Sequence, residues 1–224
     1  MFRVGRFIEK RPFLYHVTSP LNLDRIRKSR RLESAEQLYR AGDQVLPPEA
    51  RRSTVDLQIG NVPVRIRDQK GIVEGNIEWY GGWGMRELLD DLNRRVFFWA
   101  DVKSVAKHLR TYEAERPSLV ILRVPAQELV RMRFLSSDDP EDPLPWFSRY
   151  NSGFPRWNPN GKDGEAEASP RGPKTFVLAS KADFTLKDVK EVTFVGEIAL
   201  PEGCAVAREA CRFLQKDETC WEPL

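Results

Sequence analysis

Histidine and cysteine are scarce in this chain, and the scarcity narrows its chemistry. Two histidines, His16 and His108, and three cysteines stand among 224 residues. Cys204, Cys211 and Cys220 are odd in number and clustered late. Their spacing matches neither a disulfide framework nor the close CxxC pairing of a zinc site, so no metal is expected. No GxGxxG run, Walker loop or internal repeat occurs, which argues against Rossmann and P-loop nucleotide sites. No apolar run approaches membrane-spanning length, and Met1-Phe2-Arg3-Val4-Gly5-Arg6 lacks the apolar stretch of a secretion signal. The expectation is a reduced, cytoplasmic protein with no membrane association.

A one-sided charge is missing too. A net charge of +3 does not by itself argue for nucleic-acid binding. Its distribution says more. Arg25, Arg27, Lys28, Arg30 and Arg31 form a basic stretch, followed by Arg40, Arg51, Arg52, Arg65 and Arg67. This is either a solvated face or an attraction for phosphate. With 41% hydrophobic and 31% charged residues, the composition is that of an ordinary globular protein. The length suits one domain over 1–224 carrying an irregular insertion at about 136–173.

Phe13 to Val17 reads as a strand. Ser19 then caps a helix with Pro20 at its first position, running to about Arg30 with Leu23 and Ile26 inward. Ser34 and Gln37 form a capping box for a second short helix ending before Gly42. Val62 to Arg67 alternates like an edge strand. Glu74 to Gly84 reads as a loop with exposed aromatics, and Met85 to Arg94 as an amphipathic helix. Val96 to Trp99 reads as a buried strand, and Asp101 caps a helix from Val102 to Glu115. Leu119 to Val124 is the most strand-like run. Periodicity is lost from Ser136 to Pro173, then strands return at Thr175 to Leu178 and at Val192 to Leu200. Short helices and strands without a regular βαβ repeat predict an α+β fold.

Three segments carry polar or aromatic residues that packing does not require. They are Phe13-Leu14-Tyr15-His16-Val17-Thr18-Ser19, Val96-Phe97-Phe98-Trp99-Ala100-Asp101 and Val195-Gly196-Glu197-Ile198-Ala199-Leu200-Pro201. Glu197 stands in an apolar strand, where an unpaired carboxylate is costly. Taken together, and in this order, the three resemble the signatures of the ADP-ribosyltransferases. The resemblance implies split antiparallel sheets with flanking helices and a long substrate loop. It implies NAD as co-substrate, with His16 bonding the adenosine ribose and the hydroxyls of Thr18 and Ser19 near the dinucleotide, although Ser19 is equally explained as a cap. It implies an aromatic stacked on nicotinamide, either Phe98 or Trp99, which alternation places on opposite faces. A π face suits a flat pyridinium cation. It makes Glu197 the catalytic carboxylate, stabilising the positive charge that builds on the sugar. Glu191, six residues earlier, is the runner-up.

Gly196-Glu197-Ile198-Ala199-Leu200-Pro201 and the short Tyr-His-Val-Thr opening resemble the DarT-type toxins, which modify bases in single-stranded DNA. Arg67-Asp68-Gln69, Asn151-Ser152-Gly153 and Arg171-Gly172-x-x-Thr175-Phe176 resemble a related uncharacterised bacterial family. In DarT-like proteins an arginine contacts NAD; Arg51, Arg65 and Arg67 are the candidates here. The 136–173 stretch stands where that family places its substrate loop. Arg149, Tyr150, Asn151, Arg156 and Trp157 suit stacking on unpaired bases and holding phosphates, whereas Asp138, Asp139, Glu141 and Asp142 would repel them. The function implied is mono-ADP-ribosylation of a nucleic-acid base, single-stranded DNA favoured, as a toxin or phage-defence effector with an antitoxin or immunity protein as a further partner. The alternatives are a protein or RNA-phosphate acceptor, or a nucleotide-binding module without turnover.

Overall fold

The computed structural model describes residues 4–111, 119–136, 145–149, 155, 168–182, 185, 187–208, 213 and 218–224. Helix α1 (Val4–Lys10) leads into β1 (Phe13–Thr18), a 3-10 turn at Pro20–Asn22, α2 (Leu23–Ser29), β2 (Arg31–Glu33) and α3 (Ala35–Ala41). The hairpin β3 (Val55–Ile59) and β4 (Val62–Ile66) follows, then β5 (Ile77–Trp79), α4 (Met85–Asn93), β6 (Arg95–Trp99), α5 (Val102–Thr111), β7 (Val120–Pro125) and α6 (Ala126–Ser136). The last third holds β8 (Trp146–Ser148), β9 (Ser169–Arg171), β10 (Val177–Leu178), β11 (Glu191–Val195), β12 (Glu197–Ala199), β13 (Ala205–Ala207) and β14 (Trp221–Pro223).

Local chemistry accounts for the element ends. Ser19 Oγ accepts the Leu21 N–H and so opens the 3-10 turn. Arg30 sits in the left-handed region and closes α2 with its N–H on the Ile26 carbonyl. The Ser34–Gln37 capping box starts α3. Asp101 Oδ1 takes the Ser104 N–H at the head of α5. Each cap removes an orphaned polar group from a helix end, typically worth about 1 kcal/mol.

Eight strands form one antiparallel sheet in the order β10-β8-β11-β6-β1-β7-β13-β14. Helices cover both faces, an α+β architecture. On one side Phe7 of α1, Leu23 and Ile26 of α2 and Leu129 of α6 pack on Leu14, Phe98, Leu122 and Phe194. On the other, Val105 and Leu109 of α5 meet Tyr15 and Ile121, while Leu88, Leu89 and Leu92 of α4 meet Phe176 and Phe97. Among the described residues no helix is long and apolar enough to cross a membrane.

Four expectations are corrected. The run from Val192 to Leu200 is two strands, because Gly196 adopts φ +78° and turns the chain. β11 stays in the main sheet, while β12 leaves it to pair with β2. The stretch from Ser136 to Pro173, read as lacking regular structure, contributes β8 and β9, and the loop read at Glu74 to Gly84 contains β5, parallel to β9. Gly172 allows that approach: a Cβ there would stand 2.6 Å from the Tyr80 carbonyl oxygen. Finally, α1 and α6 carry helix where the sequence reading placed none.

Candidate functional site

The sheet is nearly severed in the middle. β1 pairs with β7 through six residues and β6 with β11 through five, yet β1 and β6 meet only at Tyr15–Trp99. Beyond that point the two strands part, and a cavity of about 290 Å³ opens between them. It is lined by consecutive residues of both strands, His16 to Thr18 and Arg95 to Trp99. A flat sheet surface would present alternate residues. Consecutive lining identifies a cleft running along two strand edges.

His16 bridges the gap. Its Nδ1–H donates to the Phe97 carbonyl at 2.8 Å, which leaves Nε2 as an acceptor. Burial holds its pKa below the ordinary imidazole value, and Arg67 adds to that while the Phe97 bond opposes it. The imidazole is therefore neutral at physiological pH. Thr18 also lines the cleft; its Oγ1 accepts from Asn22 Nδ2 at 2.9 Å. Asn22 additionally exchanges bonds with the Arg65 backbone, tying the β3–β4 hairpin to this corner.

The two candidate aromatics occupy different environments. Phe98 is 1% exposed, packed edge-on against Phe194, with His16 on a further side. Trp99 is half-buried and lies 4.9 Å from the His108 ring, centroid to centroid. Both border the cleft, but Phe98 is committed to the core on most of its surface.

Six arginines face three carboxylates in the lining. Some are neutralised: Arg25 grips Glu33 through two bonds of 2.7 Å, and Arg65 grips Asp56 likewise. Arg51 is different. It is 9% exposed, and its guanidinium meets the Arg67 carbonyl at 3.1 Å and Asn93 Oδ1 at 2.7 Å, both neutral acceptors. Desolvation lowers its pKa, against the opposing pull of Tyr39 and of the Asp68 carboxylate, and a guanidinium whose hydrogen bonds go to neutral acceptors still attracts an anionic ligand. Arg67 donates Nη1–H to His108 Nε2 at 2.9 Å.

The carboxylates are sorted by the turn at Gly196. Glu191, the runner-up, heads β11, is 3% exposed and lines the cleft beside Trp99 in register. Glu197 lies past the turn on β12 and is not part of the lining. It forms an exposed ion pair with Arg31, which does line the cleft, so Glu197 stands at the rim. Ser19 is buried in its capping role and outside the lining. Arg149 is exposed just past β8, whose Ser148 stands opposite Glu191. Tyr150, Asn151, Arg156 and Trp157 lie outside the described residues, as does Asn151-Ser152-Gly153.

The structure adds residues that sequence reasoning passed over: Asn22, Glu33, Asn93, Arg95, Phe97 and His108. His108 carried a usable signal, since it follows Val105 by three residues on the side of α5 that buries Val105 and Leu109. Arg95 carried none. Its guanidinium lies against the Trp146 and Phe176 rings at 4.9 and 4.4 Å, contacts from distant segments, and also binds the nearby Asp91 at 2.9 Å.

A cleft beside the one-residue pairing of β1 and β6, walled by arginines, aromatics and the buried Glu191, is the site this fold offers. The family model described as "Family of unknown function (DUF7002)" matches residues 12–207, and the chain belongs to that family. The match runs from the start of β1 to the end of β13 and so takes in every strand that borders the cleft. No curated protein and no solved structure matches the chain.

Proposed function

We propose that the cleft binds NAD and that the protein is an ADP-ribosyltransferase acting on a nucleic-acid base, with single-stranded DNA favoured. One observation carries the reading. β11, β6 and β1 are consecutive neighbours, and one cavity at their split collects His16, Trp99 and Glu191 with Arg51 and Arg67. The cavity is at the small end of ligand pockets, suited to the nicotinamide-ribose part of a dinucleotide.

The chemistry follows from the residues. Trp99 offers a π face to the nicotinamide cation. Nε2 of neutral His16 accepts from a ribose hydroxyl. Arg51, aided by Arg67, binds the diphosphate. When the bond between ribose C1′ and nicotinamide breaks, its electron pair leaves with nicotinamide and positive charge develops on the sugar. The Glu191 carboxyl group, buried in the cleft wall, stabilises that charge. The acceptor's lone pair then forms the new bond to C1′, and the acceptor's proton passes to a carboxylate or water. Arg149, exposed past β8, whose Ser148 stands opposite Glu191, supports a contact with an acceptor's phosphate.

The test is transfer of labelled ADP-ribose from NAD to single-stranded DNA, duplex DNA, RNA and cell-lysate protein in parallel. Label on single-stranded DNA supports the proposal in full. Label on RNA or protein instead replaces the acceptor and keeps the NAD site. No transfer, no nicotinamide release and no NAD binding refutes it.

A further inference from the structure

His108 is one of two histidines in the chain and has no part in the transfer chemistry above. Its position is nonetheless specific. The α5 face that buries Val105 and Leu109 also turns His108 inward, against the cleft wall. There it meets two functional side chains from separate segments. Arg67, just past β4, places Nη1–H on Nε2 at 2.9 Å. Trp99, at the end of β6, lies 4.9 Å away ring to ring with planes tilted by 43°. All three border the cavity.

The arrangement addresses a conflict between the two. A guanidinium and an indole face attract each other. An arginine this close to Trp99 would settle on the very surface that a pyridinium cation needs, and its charge would then repel that cation. An acceptor held between them prevents this. It must be uncharged, and it is: burial, with Arg67 adding to it, pushes the His108 pKa down to about 3.

We propose that His108 is a positioning residue of the cleft, taking the Arg67 Nη1–H while backing Trp99, so that the guanidinium is aimed at the anionic part of the ligand and kept off the indole. The role rests on the reading of the cleft as an NAD site. Val105 and Leu109 anchor the helix turn, so His108 has a fixed origin from which to hold both partners. The Arg67 guanidinium bears on the imidazole and also on His16.

Two measurements on the full chain test it. The first is nicotinamide release against NAD concentration for wild type, His108→Phe and His108→Gln. Phe keeps a flat ring against Trp99 and loses the acceptor; Gln restores an acceptor without the ring. Loss of a hydrogen bond to a charged group predicts a KM for NAD about tenfold higher in His108→Phe. Since Arg67 binds ground and transition states alike, kcat stays within about threefold. His108→Gln recovers most of the KM. An unchanged KM in His108→Phe, or a Gln variant as impaired as the Phe variant, overturns the proposal.

The second is the imidazole titration by NMR, assigned by the signal lost in His108→Gln, in wild type and in Arg67→Met. Removal of the guanidinium raises the His108 midpoint toward the ordinary imidazole value. An unmoved midpoint overturns the positioning role whatever the enzyme does. A wild type that releases no nicotinamide while the midpoint moves as expected sinks the NAD reading and leaves the Arg67–His108 link standing.

Discussion

Exchanging Glu191 for Gln separates charge from shape at the centre of the cleft. The side chain is 3% exposed and stands in register between Trp99 and Ser148. In such surroundings the effective dielectric is about 20, and unit charges about 4 Å apart attract by about 4 kcal/mol. A carboxylate serving a developing positive charge on the ribose at that range therefore accelerates the reaction by about a thousandfold. Glu191→Gln should lower kcat for nicotinamide release by about two to three orders of magnitude while circular dichroism stays that of the wild type. Glu197→Gln is the matched control. Its partner Arg31 is half exposed, and exposed pairs contribute about 0–1 kcal/mol, so activity should fall by less than about tenfold. The assay is initial-rate release of nicotinamide under saturating NAD. Near-wild-type turnover in Glu191→Gln, together with a dead Glu197→Gln, would refute the reasoning and restore the carboxylate beyond Gly196 as the catalytic one.

Three further outcomes follow from the same geometry. Phe98→Ala empties a fully buried ring site and should cost about 3–5 kcal/mol in urea unfolding; Trp99→Ala should cost less and instead raise the KM for NAD. Stability should fall as pH drops from about 6.5 toward about 3, at up to about 1.4 kcal/mol per pH unit from His108, with His16 acting in the same direction. Both have lowered native pKa values, so the unfolded chain takes up their protons first and the native state is most favoured above that pH; urea midpoints at pH 7.5, 6 and 5 in wild type and His16→Asn measure this. Gly196→Ala forces a β-carbon into the left-handed region at φ +78°, at a cost of about 1–2 kcal/mol, read as a drop in melting temperature.

Much of the local structure was legible because it is written in neighbouring residues. The Asp101 cap, the Ser34–Gln37 box and the strands around Tyr15, Phe98 and Leu122 each follow from signals within a few positions, whereas Ser19 caps a 3-10 turn and the helix expected from it begins only at Leu23. His16, Thr18, Phe98, Trp99 and Arg67 were nominated from sequence, and the fold brings all five to one cleft. The missed pieces depend on distant partners. β5 and β9 are short, and each is a strand because the other lies beside it. β8 owes its place to β10 and β11, and Arg95 its burial to Trp146 and Phe176.

The pair of carboxylates draws the line most clearly. By itself the sequence determined that an apolar run near the end of the chain holds Glu197 and is preceded by Glu191, because hydrophobic pattern and residue type are one-dimensional facts. Which of them faces the cleft depends on a backbone turn at Gly196, on β12 leaving the main sheet for β2, and on β1 and β6 pairing at one residue only. Glycine permits that turn without announcing it. Only the packed structure, in which strands from opposite ends of the chain compete for the same edges, decides where the sheet opens and which side chains meet there.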